Sequence, residues 1–286
     1  MSLETSFCSP SLTYVFFAGA VANSTELVLG GQILDRIKTK LQSEVGLTTK
    51  EAVQSILHKE GVRGFGKGSG WNLGGAGFKG GIRWMSNTAS DRLYSDLFSE
   101  KVKKNHPLLF TAAVGLTAGI VDATVTNFFD RSKTFVMSSS DKREIWQRIQ
   151  TRPIGFFFDG WARICAKQMV ISTTYQLSYI FLKRRLEKTH PDRPISWNEK
   201  ILLGYVPGLI GAVMSTLPDL LKTQAQIPQS LGKNAFRSVL EIFSRHGFKG
   251  FYGSLFVKMI RSSNYSLITF LVMDQLGALP NNMRIK

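Results

Sequence analysis

A five-residue pattern, Asp-x-x-Lys-Thr, occurs three times in this chain: in "ILDRIKTKLQ" (33–42), "FFDRSKTFVM" (128–137) and "LPDLLKTQAQ" (217–226), each time closing an apolar run. The copies start at 35, 130 and 219, which sets them 95 and 89 residues apart. That interval is too long for a solenoid unit and suits a pair of membrane helices with a loop between them. A second element recurs behind each copy, as "EGVRGFGKG" (60–68), "RPIGFFFDG" (152–160) and "HGFKGFYGS" (246–254). Between the two lies a short amphipathic stretch, "TTKEAVQSILHKEG", "SDKREIWQRIQT" or "GKNAFRSVLEIFSRHG". Each repeat therefore reads as apolar helix, charged end, surface helix, glycine-aromatic turn and second helix.

Apolar stretches run over about 12–31, 108–129, 164–182, 201–217 and 255–276, with a weaker, glycine-rich sixth at 70–86. Polar residues such as Asn23, Glu26 and Asp122 interrupt them. The mean hydropathy of -0.01 is low for a membrane protein. It is compatible with helices that line an aqueous cavity and are polar on one face. The polar, proline-bearing connectors "KKNHP" (103–107) and "EKTHPDRPISWNEK" (187–200) bound the repeats. The expected organisation is one domain over 1–286 with repeats at about 10–103, 104–198 and 199–280: an all-α membrane protein of six spanning helices in three helix pairs. Gly115 with Gly119, and Gly204 with Gly208, are spaced four apart and predict close helix packing in lipid, whereas the first helix has only Gly19 with Asn23 four on.

Asp and Lys at i and i+3 share a helix face, but an exposed pair of this kind contributes only about 0.2 to 0.5 kcal/mol. Triplication calls for more. If three helices meet around an axis, the Lys of one reaches the Asp of the next, and Asp35, Lys38, Asp130, Lys133, Asp219 and Lys222 close a ring of ion pairs across one end of a central cavity. A ring that forms and breaks is a gate.

These residues resemble the mitochondrial carrier family, whose odd-numbered helices end in Pro-x-[Asp/Glu]-x-x-[Lys/Arg] ahead of a glycine-aromatic turn, in three repeats. The resemblance covers essentially the whole chain. It implies a six-helix bundle with threefold pseudosymmetry, amphipathic helices on the matrix face, and transport of small organic anions or nucleotides by alternating access in the mitochondrial inner membrane. The chain departs from the pattern in two places. Ile33, Phe128 and Leu217 stand at the family's proline position, with Pro218 one residue late, which puts the usual helix bends in question. The outer network that the family builds at the ends of its even helices survives in pieces: Asp274 has Gly277 where a basic partner belongs, and "YIFLK" (179–183) has Lys183 without an acid. A weak outer gate would favour net transport over exchange.

The resemblance also implies where substrate binds, seven residues after the glycine of each turn. Counting gives Gly75, then Lys167 followed by Gln168, then Arg261, with Ser254 in the glycine's place. Lys79 and Arg83 follow Gly75 on the same helix face. A cation inside an apolar span costs about 2.5 to 3.5 kcal/mol, so Lys79, Arg83, Lys167 and Arg261 together point to a multiply charged anion. Lys167 followed by Gln168 is similar to the amino-acid carriers. The basic count favours phosphate groups, and such a divergent carrier is also similar to nucleotide carriers that bacteria deliver to host mitochondria. Nucleotide is the favoured substrate, with amino acid or carboxylate as the alternative.

The excess of 36 Lys+Arg over 20 Asp+Glu, a net +16, asks for an anionic partner. A soluble nucleic-acid-binding protein would explain the charge but neither the apolar spans nor the charged pairs at their ends, so nucleic acid is not expected. Anionic lipid such as cardiolipin fits the glycine turns at the starts of the even helices. "GVRGFGKG" (61–68) approaches a phosphate-binding loop, but Gly68 stands where the magnesium-binding hydroxyl belongs, which argues against an ATPase. The four histidines are scattered, the two cysteines, Cys8 and Cys165, read as free thiols, and no catalytic triad is legible. No enzyme activity, cofactor or metal is expected. A carrier-fold receptor or scaffold that no longer transports is the remaining alternative.

Overall fold

The structure is a computed structural model that describes residues 10–138, 161–189, 193–226, 235–247 and 253–280, with isolated positions at 147, 150, 151, 155, 158 and 283. Most of the second repeat's amphipathic stretch and of its glycine-aromatic turn lies outside the described residues, as does Cys8. The regular elements are α1 (Leu12–Glu26), a π-turn (Leu27–Gly31), α2 (Gln32–Ser43), α3 (Thr49–Glu60), a 3-10 turn (Val62–Gly66), α4 (Ser69–Leu97), α5 (Glu100–Asn105), α6 (Pro107–Ser138), α7 (Trp161–Thr189), α8 (Trp197–Met214), α9 (Thr216–Gln226), α10 (Ala235–His246) and α11 (Leu255–Gln275). The six long segments form a closed ring in which α1 packs on α4, α4 on α6, α6 on α7, α7 on α8, α8 on α11 and α11 back on α1. The fold is thus a six-helix bundle made of three helix pairs.

Hydropathy alone identifies fewer spans than the bundle contains. Leu12–Ser43 and Pro107–Ser132 are long and apolar enough to cross a membrane, and Trp197–Met214 with Thr216–Thr223 qualifies as a bent pair. These are the odd-numbered helices of the repeats. The even ones, α4, α7 and α11, fail the test because residues such as Asn72, Lys79, Gln168, Gln176, Lys258 and Ser266 are polar yet buried inside the ring. The outside of the bundle is apolar, with Phe17, Val28, Leu109, Phe181 and Phe256 all exposed, as a lipid-facing surface requires.

Glycines set the spacing within each pair. A Cβ on Gly19 would lie 2.7 Å from the Gly80 carbonyl oxygen, and one on Gly119 would lie 2.7 Å from the Met169 backbone nitrogen. In the third pair, Gly208 is pressed equally tightly against Ser262 and Ser266. Gly19, which lacks a glycine four residues on, is answered by a glycine on the opposite helix, and Asn23 donates a side-chain hydrogen bond to the Ala76 carbonyl.

Two of the three signature helices bend without the family's proline. In the first repeat the break is the π-turn, where Leu29 leaves helical geometry and Gly30 takes φ 114°, a conformation that glycine adopts without strain. In the third, α8 and α9 meet at 61° across Ser215, with Pro218 in the first turn of α9, where its missing N–H costs nothing. In the second repeat α6 runs unbroken through the signature. The missing proline therefore straightens one helix of the three.

Arg36, buried on α2, fixes the first loop. Its guanidinium donates to both Glu60 oxygens at 2.8 and 2.9 Å and to the Gly64 carbonyl at 3.2 Å, and it also reaches the Met137 carbonyl of α6. Burial works against the Glu60 carboxylate, but its hydrogen bond to Arg36 and the charges of Arg36 and Lys67 hold its pKa below the ordinary value.

Gly119→Ala is expected to lower stability by about 1–3 kcal/mol, since the added methyl has only backbone to push against. Gly74, also helical, has nothing within 4 Å of a Cβ. Gly74→Ala should therefore raise stability by about 0.5–1 kcal/mol. Melting temperatures of the two purified variants test the contrast.

Candidate functional site

The bundle encloses a cavity with about 1050 Å³ of unfilled volume, floored by the signature residues. Two links of the expected ring join neighbouring repeats: Lys38 Nζ lies 2.6 Å from Asp219 Oδ2, and Lys222 Nζ lies 2.9 Å from Asp130 Oδ2. For the third link, the side chain of Lys133 lies outside the described residues. Its expected partner, Asp35, accepts from Arg261 at 3.2 and 3.4 Å and from Asn72 Nδ2 at 3.3 Å.

The candidate substrate residues stand one layer above this floor. Lys79 is 3.6 Å from Asp130, Lys167 is 3.3 Å from Asp219, and Arg261 is 3.2 Å from Asp35. Each of these cations is thus held by a different signature aspartate. Arg83 instead pairs with Asp122 at 3.0 Å, and Gln168 Nε2 donates to the same Asp122 oxygen at 2.6 Å. The Tyr265 ring lies between the two arginines, with the Arg83 and Arg261 guanidinium carbons 5.3 and 5.6 Å from its centroid. One residue reached by the repeat count falls elsewhere: a Cβ on Gly75 would sit 2.7 Å from the Phe129 ring, so this position serves helix packing.

Lys258 and Gln42 belong to the site, although the repeat count does not reach them. Lys258, buried on α11, approaches Asp219 at 3.5 Å. Gln42 donates to Asp219 at 3.1 Å and accepts from Thr223 at 2.8 Å, which ties α2 to α9 beside the Lys38–Asp219 pair. The signal for both was helical spacing, because Lys258 stands three residues before Arg261 and Gln42 four after Lys38. Glu26, two turns above Asp35, takes a further contact from Arg261.

A second lobe of about 710 Å³ continues above Arg83 and Gln168, bordered by Trp84, Tyr175, Gln176, Tyr265 and Met283. Two ion pairs stand at this outer end. Asp274, for which the sequence offered no basic partner on its own helix, is bound by Lys200 of α8 at 2.7 Å, and Lys183 contacts Glu187 one turn away at 3.8 Å.

Comparison with known proteins decides the family. The profile described as "Mitochondrial carrier protein" matches residues 9–97 and 193–283, which cover the first and third repeats. The chain belongs to the mitochondrial carrier family. It is 24% identical to the mitochondrial aspartate-glutamate transporter of Saccharomyces cerevisiae over 87% of its own length and 30% of that protein's. It is 24% identical to the mitochondrial carnitine/acylcarnitine carrier protein of Rattus norvegicus, over 86% of this chain and 87% of that one. To the mitochondrial thiamine pyrophosphate carrier 1 of Scheffersomyces stipitis it is 27% identical, over 90% and 86%. Against the yeast transporter the chain spans less than a third of the relative's length, so it corresponds to a part of that protein.

For this carrier, reversing either charge of the Asp130–Lys222 pair leaves two like charges buried together, and each single variant, Asp130→Lys or Lys222→Asp, should lose about 3 kcal/mol or more. The double variant should regain part of the loss, the rest remaining because Lys79, 3.6 Å from Asp130, then faces a lysine. Thermal melting reads this without any substrate, and a double variant that melts below both single variants would count against direct pairing.

Proposed function

We propose that this carrier moves a small organic anion, with a nucleotide such as ATP the best fit, across the mitochondrial inner membrane by alternating access. The supporting observation is a charge excess. Among the described residues, the main cavity is lined by seven cationic side chains (Lys38, Lys79, Arg83, Lys167, Lys222, Lys258 and Arg261) against three aspartates, Asp35, Asp130 and Asp219. Adding Asp122 and Glu26, which contact the two arginines, still leaves cations in excess. A multiply charged anion would balance that excess, and guanidinium groups suit phosphate oxygens because they donate in pairs.

The same contacts suggest how binding opens the gate. Lys79, Lys167 and Arg261 pair with Asp130, Asp219 and Asp35. An anion that takes these cations loosens the hold on each aspartate, leaving Asp130 with Lys222 and Asp219 with Lys38 and Lys258. Substrate binding then favours the state in which the ring parts and water reaches the carboxylates, which is the differential interaction a conformational change requires. The relative named for thiamine pyrophosphate supports a phosphorylated cargo. A second reading rests on the acid–base pairs Arg83–Asp122 and Arg261–Glu26, which would suit a zwitterionic amino acid, in line with the relative named for aspartate and glutamate. For anionic lipid such as cardiolipin, the start of α4 is the place this reading favours, since its N-cap Gly68 makes no side-chain hydrogen bond.

The deciding experiment is uptake of labelled ATP into liposomes holding the purified protein, with glutamate and a dicarboxylate as parallel tracers. Saturable ATP entry should fall at least about 100-fold in a Lys167→Ala, Arg261→Ala double variant, as two charge-assisted contacts at about 1.5–3 kcal/mol each imply. Uptake of glutamate alone would favour the zwitterion reading, and uptake of no tracer by folded protein would favour a receptor or scaffold.

A further inference from the structure

The end of the cavity opposite the ion-pair ring is filled by Ala278, Leu279 and Met283, which follow α11. α11 gives way at Gly277, which takes φ 62°. The Gly277 N–H bonds the Asp274 carbonyl at 3.0 Å and the Ala278 N–H bonds the Met273 carbonyl at 2.9 Å, a pairing that closes the helix and turns the chain back. Beyond this turn the side chains are buried: Ala278, Leu279 and Met283 are 0, 2 and 2% exposed. They join a cluster with Val15, Trp84, Tyr179, Leu203, Phe270 and Met273, from five of the six bundle helices. One hydroxyl anchors the segment, Tyr179 donating to the Met283 carbonyl at 2.6 Å, while Tyr14 donates to the Leu276 carbonyl at the end of α11, also at 2.6 Å. Met283 also forms part of the wall of the outer lobe.

We infer that this segment is the outer gate of the carrier: Ala278, Leu279 and Met283 form an apolar plug that must withdraw before solute passes between the cavity and the outer side. The inference rests on the transport reading for its purpose but on packing alone for its geometry. The plug stands beside two ion pairs, Asp274 with Lys200 and Lys183 with Glu187. The residue three beyond Asp274 is the glycine that starts the turn. The plug itself is held by apolar burial and the Tyr179 hydrogen bond, whereas the ring at the opposite end is built from ion pairs.

Thiol access measures this gate without reference to any substrate. In a Cys8→Ser, Cys165→Ser background, Ser262→Cys places a reporter on the wall shared by both lobes. A polar methanethiosulfonate reagent should label it slowly in the full chain. Labelling should rise at least about tenfold in a chain ending at Gly277. In a Tyr179→Phe variant it should rise by about fivefold, the usual net worth of one such bond. Where the shortened chain loses its cooperative melt, the tyrosine variant alone decides. Labelling of a folded variant at the full-chain rate would overturn the inference, and so would a full chain already labelled as fast as an exposed thiol. Transport assays cannot mimic either result, so failure of the cargo assignment and failure of the gate are told apart.

Discussion

Closure of the inner end converges on one carboxylate. Asp219 is buried, and a lone charge in that position would be too costly to keep. It is held by Lys38 from the first repeat at 2.6 Å, Lys167 from the second at 3.3 Å and Lys258 from the third at 3.5 Å, with Gln42 adding a hydrogen bond at 3.1 Å. All three repeats therefore meet at one residue. Asp130 is held by Lys79 and Lys222, and Asp35 by Arg261, so each signature aspartate has its own kind of partner set even though the sequence pattern is repeated. Buried ion pairs add little net stability once desolvation is counted, but losing one partner is expensive. That asymmetry suits a structure that has to choose between closed and open rather than one that has to be as stable as possible.

The bends that bring the three signatures together are built by different means. Gly30 breaks the first helix through a left-handed backbone, and Ser215 and Pro218 break the third, while α6 stays straight. A proline in the usual place would have imposed one geometry on all three. The region left unmatched by the family profile, 98–192, is the one that holds the straight helix. Threefold pseudosymmetry here is a property of helix order and of the Asp and Lys positions, and local backbone geometry does not share it.

The inner half of the site was legible in the sequence and the outer half was not, for a physical reason. Asp35, Lys38, Asp130, Asp219 and Lys222 are spaced by the repeat, and inward-facing cations at Lys79, Lys167 and Arg261 arise from helical periodicity within it. Acids that pair across helices have no such spacing. Asp122 could be seen as a buried acid but not as the partner of Arg83, 39 residues away. The even helices were the weakest spans by hydropathy because they carry the polar lining, so the property that hid them is the one that makes the cavity. The terminal segment carried even less signal, since Gly277 read as a missing basic residue when its role is to reverse the chain.

The two ends of the cavity differ in what can open them. On the proposed reading, an anion inside the cavity competes for the cations beside the inner aspartates, so that end answers to cargo. The outer end is closed by Tyr179, Phe270, Ala278, Leu279 and Met283, and an anion offers these residues no better partner than they already have. Apolar closure of this kind opens by thermal fluctuation and depends little on ionic strength. On the proposed reading, the outer step proceeds at a similar rate with the cavity loaded or empty. A carrier whose empty form can reset needs no counter-substrate for the return, and the chemistry of its two closures then favours net movement over obligatory exchange.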